Sequence, residues 1–385
     1  MNFDDIRSYT EEELPEVMQR LVDEKHFMKL LSTLFPLTPK DYLREQLLKV
    51  KTVEEFQVVF VYPFLKDIEA NKTNGIKFEG LDKINRINPY LYISNHRDIT
   101  LDASLLCLEM MEYGMKTTNI AIGDNLLIYQ WIEDFVRYNR AFIVKRNLKA
   151  RQALEASQKL SAYIRHLICD KKESVWLAQR EGRAKDSNDL TQEGLLRMLT
   201  FGGTGNFYEN ISELHICPLV ICYEYDPTDY LKAKEFHLKR DNPEYKKEKS
   251  DDLQNMEVGI MGYKGKVVYR LTGEIDKELK EITQSTDSLK EQIKLLAQVI
   301  DYRIHSNYTI FNTNKIAYDL LEKEKFFSEE YTDMERSEFE QYISRQIAKI
   351  DIPDKDSAFL RIKILEMYAN PLINHMIAKN KSLII

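Results

Sequence analysis

His96 is followed by two carboxylates, Asp98 and Asp102, in a short polar stretch that begins at Asn95. A carboxylate bonded to one ring nitrogen of a histidine fixes the tautomer and makes the other nitrogen a better base. A lone histidine is more often structural, but two nearby carboxylates favour a base held by an acid. We therefore treat His96 as the candidate catalytic base, with Asp102 or Asp98 as its partner.

Apolar segments lie on both sides of this polar stretch. Residues 91–93 have the β-branched and aromatic character of a short buried strand. Leucines at 101, 105, 106 and 108 recur at helical spacing, and Asp98 or Thr100 is placed to cap the first turn. A strand therefore brings His96 to the start of a helix, which is where open α/β sheets usually hold a site.

His96, Arg97 and Asp98 also spell the HRD that begins the catalytic loop of protein kinases. That loop requires a metal-binding asparagine five residues after its aspartate, and this chain has Ala103 there. No glycine-rich loop precedes the stretch, so the sequence argues against a kinase.

The stretch resembles the first motif, NHxxxxD, of the glycerolipid acyltransferases, the family of 1-acylglycerol-3-phosphate and glycerol-3-phosphate acyltransferases. The matching residues are Asn95, His96, Arg97 and Asp102, with one more residue between histidine and aspartate than the family has. Asp102 reaches His96 if the extra residue bulges the loop before the helix, and its apolar neighbours resemble the family's helix. Asp98 is the alternative partner.

Two basic segments resemble the family's second and third motifs. The strand predicted in AFIVKR ends at Arg146, and Arg140 stands where the family has a leading glycine. The strand predicted over 174–179 leads into Arg180-Glu181-Gly182-Arg183, which resembles EGTR without its threonine. The resemblance implies that an arginine there holds the phosphate of the acceptor, and we assign this role to Arg183.

Arg180 and Lys185 are rivals for that role. A guanidinium gives the two-pronged contact that a phosphate prefers, and Gly182 permits a tight turn. For Glu181, a structural ion pair with a neighbouring arginine is favoured over direct catalysis. The predicted substrate-binding residues are Arg97, Arg146, Glu181, Gly182, Arg183 and Lys185.

The order of these motifs, which is that of the resembled family, implies an α/β fold. A fourth segment, residues 214–225 with a central Pro218, resembles the family strand that lines the acyl-donor side. We expect a mostly parallel sheet flanked by helices, with helical extensions at both ends. The predicted regions are a helical 1–55, an acyltransferase domain 56–305 and a helical 306–385. Other expected elements are helices at 53–70, interrupted by Pro63, at 126–136, 148–168 and 284–305, a surface excursion at 226–256, and two short strands after it.

Composition limits the classes of protein. With 43% hydrophobic and 30% charged residues, the 385-residue chain is an ordinary globular protein, and a net charge of −7 argues against nucleic acid. The four cysteines include no CxxC pair, so neither a zinc site nor a disulfide framework is expected. No signal peptide or run of about twenty apolar residues occurs, so we expect a cytoplasmic protein, peripheral on the inner face of the membrane. The apolar stripes in residues 10–50 either pack on the sheet or contact lipid.

The resemblance implies an O-acyltransferase of phospholipid synthesis. His96 would deprotonate a hydroxyl of glycerol-3-phosphate or a lysophospholipid as it attacks an acyl thioester, and amides at the helix start would hold the oxyanion. The donor would be acyl-CoA or acyl carrier protein, with no metal or redox cofactor. Two alternatives stay open: O-acylation of an amino-acyl lipid such as an ornithine or glycine lipid, and a non-catalytic lipid-binding protein whose histidine pair is disabled by the inserted residue.

Overall fold

A single sheet of seven strands organises the computed structural model, which describes residues 1–380. Its spatial order is β1-β7-β6-β2-β5-β3-β4. The strands are β1 Ile76–Glu79, β2 Leu91–Ser94, β3 Asn119–Gly123, β4 Ala141–Val144, β5 Val175–Ala178, β6 Ile216–Tyr223 and β7 Val267–Leu271. Five neighbouring strands, from β6 to β4, are parallel, whereas β7 runs antiparallel to β6 and β1 runs parallel to β7.

Helices cover both faces of the sheet, and further helices precede and follow the sheet region along the chain. This confirms the predicted fold class. The helices are α1 Leu14–Asp23, α2 Lys25–Leu34, α3 Lys40–Lys49, α4 Val53–Phe56, α5 Tyr62–Lys72, α6 Leu101–Glu112, α7 Gln130–Tyr138, α8 Ala150–Arg165, α9 Glu193–Leu199, α10 Phe207–Ser212, α11 Asp229–Asp241, α12 Lys249–Met261, α13 Asp276–Ser285, α14 Leu289–His305, α15 Asn312–Glu322, α16 Asp333–Ala348 and α17 Ser357–Asn380.

The central strands are buried on both faces, as parallel strands usually are. On one face Ile93 and Leu177 belong to a core shared with α8, α9 and α14. On the other face Tyr92 and Trp176 belong to a core shared with α5 and α6. Because β2, β5 and β6 are parallel, their carboxyl ends lie at one edge of the sheet, and the residues that follow them meet there.

The apolar stripes of the N-terminal helices face the protein. Side chains of α1, α2, α3 and α4 form a separate core together with Phe60 and Tyr138, with Trp131 and Phe135 of α7 packed against it. The stripes therefore pack against one another and against α7, and the expectation that they pack on the sheet itself was wrong.

Pro63 interrupts the predicted helix over 53–70 through a local change of winding. Residues Gln57–Val61 form one π-helical segment between α4 and α5, and Pro63 lies in the first turn of α5. The backbone stays helical from Gln57 into α5, so Pro63, which has no amide proton, removes one main-chain hydrogen bond, and the π-helical turn lies just before that missing bond.

The sequence predictions were wrong for the segment after β6. Residues 226–256 are not a surface excursion, because α11 and most of α12 lie there and Asp229, Lys232 and Glu235 are buried in contact with partners. The two short strands expected after it are the end of α12 and the single strand β7. The helix predicted at 126–136 begins later, at Gln130, after a 3₁₀ turn over Asp124–Leu126.

The C-terminal helices pack on α11. A fourth core contains Ala233 of α11 together with buried side chains of α15, α16 and α17, including Ile316, Phe339 and Tyr368. The C-terminal region is therefore helical up to residue 380, as the sequence predicted, and it contacts the segment that follows β6.

Candidate active site

His96 and Asp102 form a hydrogen-bonded pair where β2 passes into α6. The Nδ1 atom of His96 lies 2.8 Å from Oδ2 of Asp102. Asp102 is fully buried, whereas the His96 side chain is 13% exposed. The other ring nitrogen of His96, Nε2, has no hydrogen-bond partner in the described part of the chain. The extra residue of the motif is absorbed in the loop before α6, so it does not separate the pair.

Asp98, the alternative partner, caps the helix. Its Oδ1 accepts hydrogen bonds from the amides of Thr100 and Leu101, both at 2.8 Å. Burial and the neighbouring Asp102 raise the pKa of Asp98, while the guanidinium of Arg183 opposes that rise. Asp98 therefore organises the start of α6, and Asp102 is the carboxylate that contacts His96.

The amides expected to bind an oxyanion are mostly occupied. Besides the two that Asp98 holds, the amides of Arg97 and Asp98 donate to Oδ2 of Asp102 at 2.6 and 3.1 Å. The sequence-based expectation that the amides at the helix start bind the oxyanion is therefore corrected. A loop that contains two buried carboxylates uses its amides to donate hydrogen bonds to them. The Ile99 amide has no acceptor among the described residues.

Neighbouring strands fix the orientation of the His96 ring. The indole of Trp176 in β5 packs edge-on against the imidazole with the ring centroids 5.7 Å apart. Nε1 of Trp176 donates to Oγ of Ser94 at 3.0 Å. The side chain of Asn95 exchanges hydrogen bonds with the backbone of Ile221 in β6, at 2.8 and 2.9 Å, and so holds the end of β2.

Arg97 is occupied in the fold. Its Nη2 lies 2.9 Å from Oδ2 of Asp189, and both side chains are buried. Tyr308 lies next to this pair, with its hydroxyl 3.5 Å from the same Nη2. Arg97 was predicted to bind substrate, but a buried guanidinium needs a counter-ion, and here Asp189 is that counter-ion.

The turn after β5 places the predicted basic residues in different surroundings. Gly182 has φ +68°, a left-handed conformation that glycine adopts without strain. Arg183 donates to Oδ1 of Asn255 at 3.0 Å and to Oγ1 of Thr228 at 3.3 Å, and it makes no ion pair within the described residues. Lys185 instead forms an ion pair with Glu235.

Arg146 and Glu181 face each other across the same edge. Nη1 of Arg146 lies 3.3 Å from Oε1 of Glu181, and the Arg146 side chain lies over Gly123 at the end of β3. Glu181 therefore forms an ion pair, as expected, but its partner is Arg146 after β4 and not an arginine of its own turn. Arg140 is buried and pairs with Glu54 and Glu173. It has φ +64°, so it keeps the left-handed backbone at the position where the resembled motif has glycine.

A cleft of about 990 Å³ lies against β5, the neighbour of β2, and β2 leads to the His96–Asp102 dyad. Its walls come from the ends of β3, β4 and β5 and from α8 and α9, and they are largely apolar, including Ile143, Leu160, Leu177 and Met198. Cations of the rim include Lys145, Arg146, Lys159 and Arg180. Ala178 in the wall pairs in register with Ser94, two residues before His96.

Three residues of the site were not found by sequence reasoning. Trp176 lies in a correctly predicted strand, but its place beside His96 depends on the register between β2 and β5. Asp189 lies in the predicted turn without a local signal of its own. Lys232 is 2% exposed and donates to the carbonyl of Arg97 at 3.1 Å, although it lies far away in the sequence.

Among the described residues there is no group of three or more side chains with the character of a metal site. The four cysteines are free thiols. Over residues 1–380 no helix combines the length and apolar character needed to cross a membrane.

The parallel sheet carries a His–Asp pair and an arginine turn at its carboxyl edge, and these are groups that acyl transfer can use. Residues 75–221 match the family model described as Acyltransferase, a segment that contains His96, Asp102, Arg146 and Arg183. This segment is therefore an acyltransferase domain, and the chain that contains it is an O-acyltransferase of lipid metabolism with an acyl donor and a lipid acceptor.

Among solved structures, the 1-acyl-sn-glycerophosphate (LPA) acyltransferase PlsC from Thermotoga maritima is similar at 11% identity, over 76% of this chain and 95% of that chain, with a TM-score of 0.38. No curated protein matches the chain.

Proposed function

We propose that this protein transfers a fatty acyl group from a thioester donor to a hydroxyl of glycerol-3-phosphate or a lysophosphatidate-like lysophospholipid. One observation carries the proposal: His96 is bonded through Nδ1 to Asp102, while its Nε2 has no partner in the described chain. This is the arrangement of a general base held in one tautomer. Because the His96–Asp102 hydrogen bond is formed, the geometry argues against a non-catalytic binding protein whose dyad is disabled.

The reaction needs one proton to move twice. Nε2 of His96 takes the proton of the acceptor hydroxyl as that oxygen attacks the thioester carbonyl. The tetrahedral intermediate collapses, the carbon–sulfur bond breaks, and the leaving thiolate takes the proton from Nε2. Asp102 stabilises the imidazolium between these steps, and the Ile99 amide is one donor of this loop that has no acceptor among the described residues and is therefore available to the oxyanion. Base assistance of this kind typically contributes about 10² to 10⁴ in rate.

Arg183 is the cation that we assign to the phosphate of the acceptor. Its described partners are the neutral side chains of Thr228 and Asn255, whereas Lys185 and Arg146 face carboxylates. The guanidinium also influences the pKa of Asp98, so it lies within electrostatic range of the loop that carries His96. A guanidinium that makes no direct ion pair can bind an anionic ligand without first breaking one.

We assign the cleft to the donor. Its apolar walls suit an acyl chain, and Arg180 on its rim makes no ion pair among the described residues, so it is open to an anionic group of acyl-CoA or acyl carrier protein. Ala178 in the cleft wall lies opposite Ser94 of β2, so a thioester bound at this end of the cleft would lie toward His96.

Thiol release by the purified protein tests the function. Acyl-CoA and acyl carrier protein are each offered with glycerol-3-phosphate, lysophosphatidate or a panel of amino-acyl lipids, beside the His96→Ala variant. We expect release that depends on a phosphate-containing acceptor and is abolished in His96→Ala. Release only with amino-acyl lipids would transfer the proposal to that acceptor class, and no release from folded protein would refute acyl transfer.

We further propose that the protein works at the inner face of the membrane, as a peripheral cytoplasmic protein. The support is a group of exposed apolar side chains near the N-terminus, including Leu37, Val58 and Val59. Sedimentation with liposomes tests this, and an equal amount of bound protein after Leu37→Ser and Val58→Ser changes would contradict it.

A further inference from the structure

Lys232 connects the dyad loop to a segment beyond the matched acyltransferase region. Its Nζ donates to the carbonyl of Arg97, the residue after His96, at 3.1 Å. The same ammonium group forms an ion pair with Asp226, and both residues are buried. A buried lysine is costly unless its charge is neutralised, so this contact with the loop exists only while Asp226 is in place.

The other oxygen of Asp226 leads to the predicted phosphate anchor. Oδ1 of Asp226 accepts from the amide and the hydroxyl of Thr228, at 2.9 and 2.8 Å. Oγ1 of Thr228 in turn accepts from Nη1 of Arg183 at 3.3 Å. Asp226 therefore stands between the main chain that carries His96 and the guanidinium that we assign to the acceptor.

The C-terminal helices hold this unit in place. The Asp226 amide donates to the hydroxyl of Tyr368 in α17 at 3.0 Å. At the first residue of α11, the carboxyl group of Asp229 accepts from Tyr342 at 2.7 Å, from Tyr368 at 2.9 Å and from Gln346 at 2.6 Å. A surface extension would not need so many buried polar contacts at one place, because each must be satisfied to avoid a penalty.

We propose that Lys232, Asp226 and Thr228 form a positioning unit that sets His96 and Arg183 at a fixed separation, and that residues 306–380 serve to hold this unit. The proposal rests on the proposed acyl transfer and adds to it. An acceptor bound by its phosphate at Arg183 reacts only if its hydroxyl reaches Nε2 of His96, and a misplacement of about 1 Å can cost about 10²-fold in rate. None of the three residues touches substrate.

The two arms of the unit can be tested separately. Lys232→Met combined with Asp226→Asn removes the ion pair without leaving a buried unpaired charge, and the asparagine oxygen still accepts from Thr228. We expect kcat to fall at least about tenfold with the acceptor KM nearly unchanged. Thr228→Val removes the acceptor of Arg183 and keeps the shape, so we expect the acceptor KM to rise about fivefold with a smaller change in kcat.

Lys355→Met is the matched control. Lys355 also donates to main-chain carbonyls, those of Ile347 and Ile350 at 2.7 and 2.8 Å, but it does so at the end of α16, away from the dyad loop. Its kcat and acceptor KM should stay within about twofold of the native values. Equal losses in the control and in the double variant would overturn the proposal.

A second measurement does not depend on turnover. In protein labelled with ¹⁵N-histidine, the proton on Nδ1 of His96 should give a downfield NMR signal, identified by its loss in His96→Gln. We expect this signal to shift or broaden in the double variant and to stay unchanged in Lys355→Met. Unchanged signal and kcat in the double variant would refute the positioning role. Failure of acyl transfer in the native protein, with the signal still responding, would refute the proposed function alone.

Discussion

Replacement of Asp102 by asparagine tests the dyad directly. The change keeps the size of the side chain and removes its charge. Oδ2 of Asp102 accepts from Nδ1 of His96 and also from the amides of Arg97 and Asp98. An amide nitrogen at that place would face three donors, so the asparagine must put its oxygen there. His96 then keeps its proton on Nδ1, and the base keeps its tautomer.

The expected loss follows from that geometry. A hydrogen bond to a charged group contributes about 1.5 to 3 kcal/mol, against about 0.5 to 1.5 kcal/mol for a neutral one. The charge matters most when His96 is protonated, so the difference raises the barrier of the proton transfer. With roughly 1.4 kcal/mol for each factor of ten, and a buried site that strengthens the effect, we expect kcat to fall about 10²-fold. A fall of about 10⁴-fold would require the wrong tautomer as well.

The matched comparison is Asp98→Asn. Asparagine caps a helix about as well as aspartate, so the hydrogen bonds from Thr100 and Leu101 survive. We expect kcat to change less than about tenfold in this variant. Steady-state thiol release with saturating donor and acceptor measures both variants, and circular dichroism confirms that they fold. A loss in Asp98→Asn as large as in Asp102→Asn would refute our assignment of the partner.

Three further predictions concern the surroundings of the dyad. Arg183→Lys should raise the acceptor KM about tenfold, because an amine cannot make the two-pronged contact of a guanidinium. Arg180→Lys at the cleft should leave the acceptor KM unchanged. Steady-state kinetics with each substrate varied in turn would test both expectations. In Gly259→Ala the new Cβ overlaps the Asp98 carboxylate, so the free energy of unfolding in urea should fall by about 1 kcal/mol or more. Gly194 faces open space, so Gly194→Ala should not lower the free energy of unfolding. Burial raises the pKa of Asp229 from 3.8 to about 7, so the native state keeps a proton that the unfolded chain releases, and stability falls as pH rises through this window. In Asp229→Asn that fall, roughly 3 kcal/mol at most between about pH 5 and pH 8, should disappear from a comparison of unfolding free energies at those two pH values.

The local parts of the site could be predicted from the sequence. The strand before His96, the cap at Asp98 and the helix after it depend on residues within a few positions of one another, and short-range patterns describe such contacts well. The partner of His96 could also be ranked, because only Asp102 lies inside the helix. The amides could not be assigned, since the sequence does not show that two carboxylates would share one loop.

The long-range parts were not predictable in the same way. Asp189, Lys232 and Glu235 look like solvated charges in the sequence, yet all three are buried against partners. Composition alone therefore placed residues 226–256 at the surface. Two short strands were expected after this segment, but Gly259 lies in α12, where it lets the helix approach Asp98. Such errors arise where the fold pairs charges that are distant along the chain.

The place of β1 in the sheet bears on the order in which the chain can fold. β1 belongs to the matched acyltransferase segment, but its neighbour in the sheet is β7, with Ile76 opposite Val267. A contact across so many residues closes a long loop, which slows folding in general. On the ribosome β1 must wait as an unpaired strand until β7 has been made, and the buried contacts of Asp226 must wait for α17. The nascent enzyme thus acquires these active-site supports only after α17 has been synthesised.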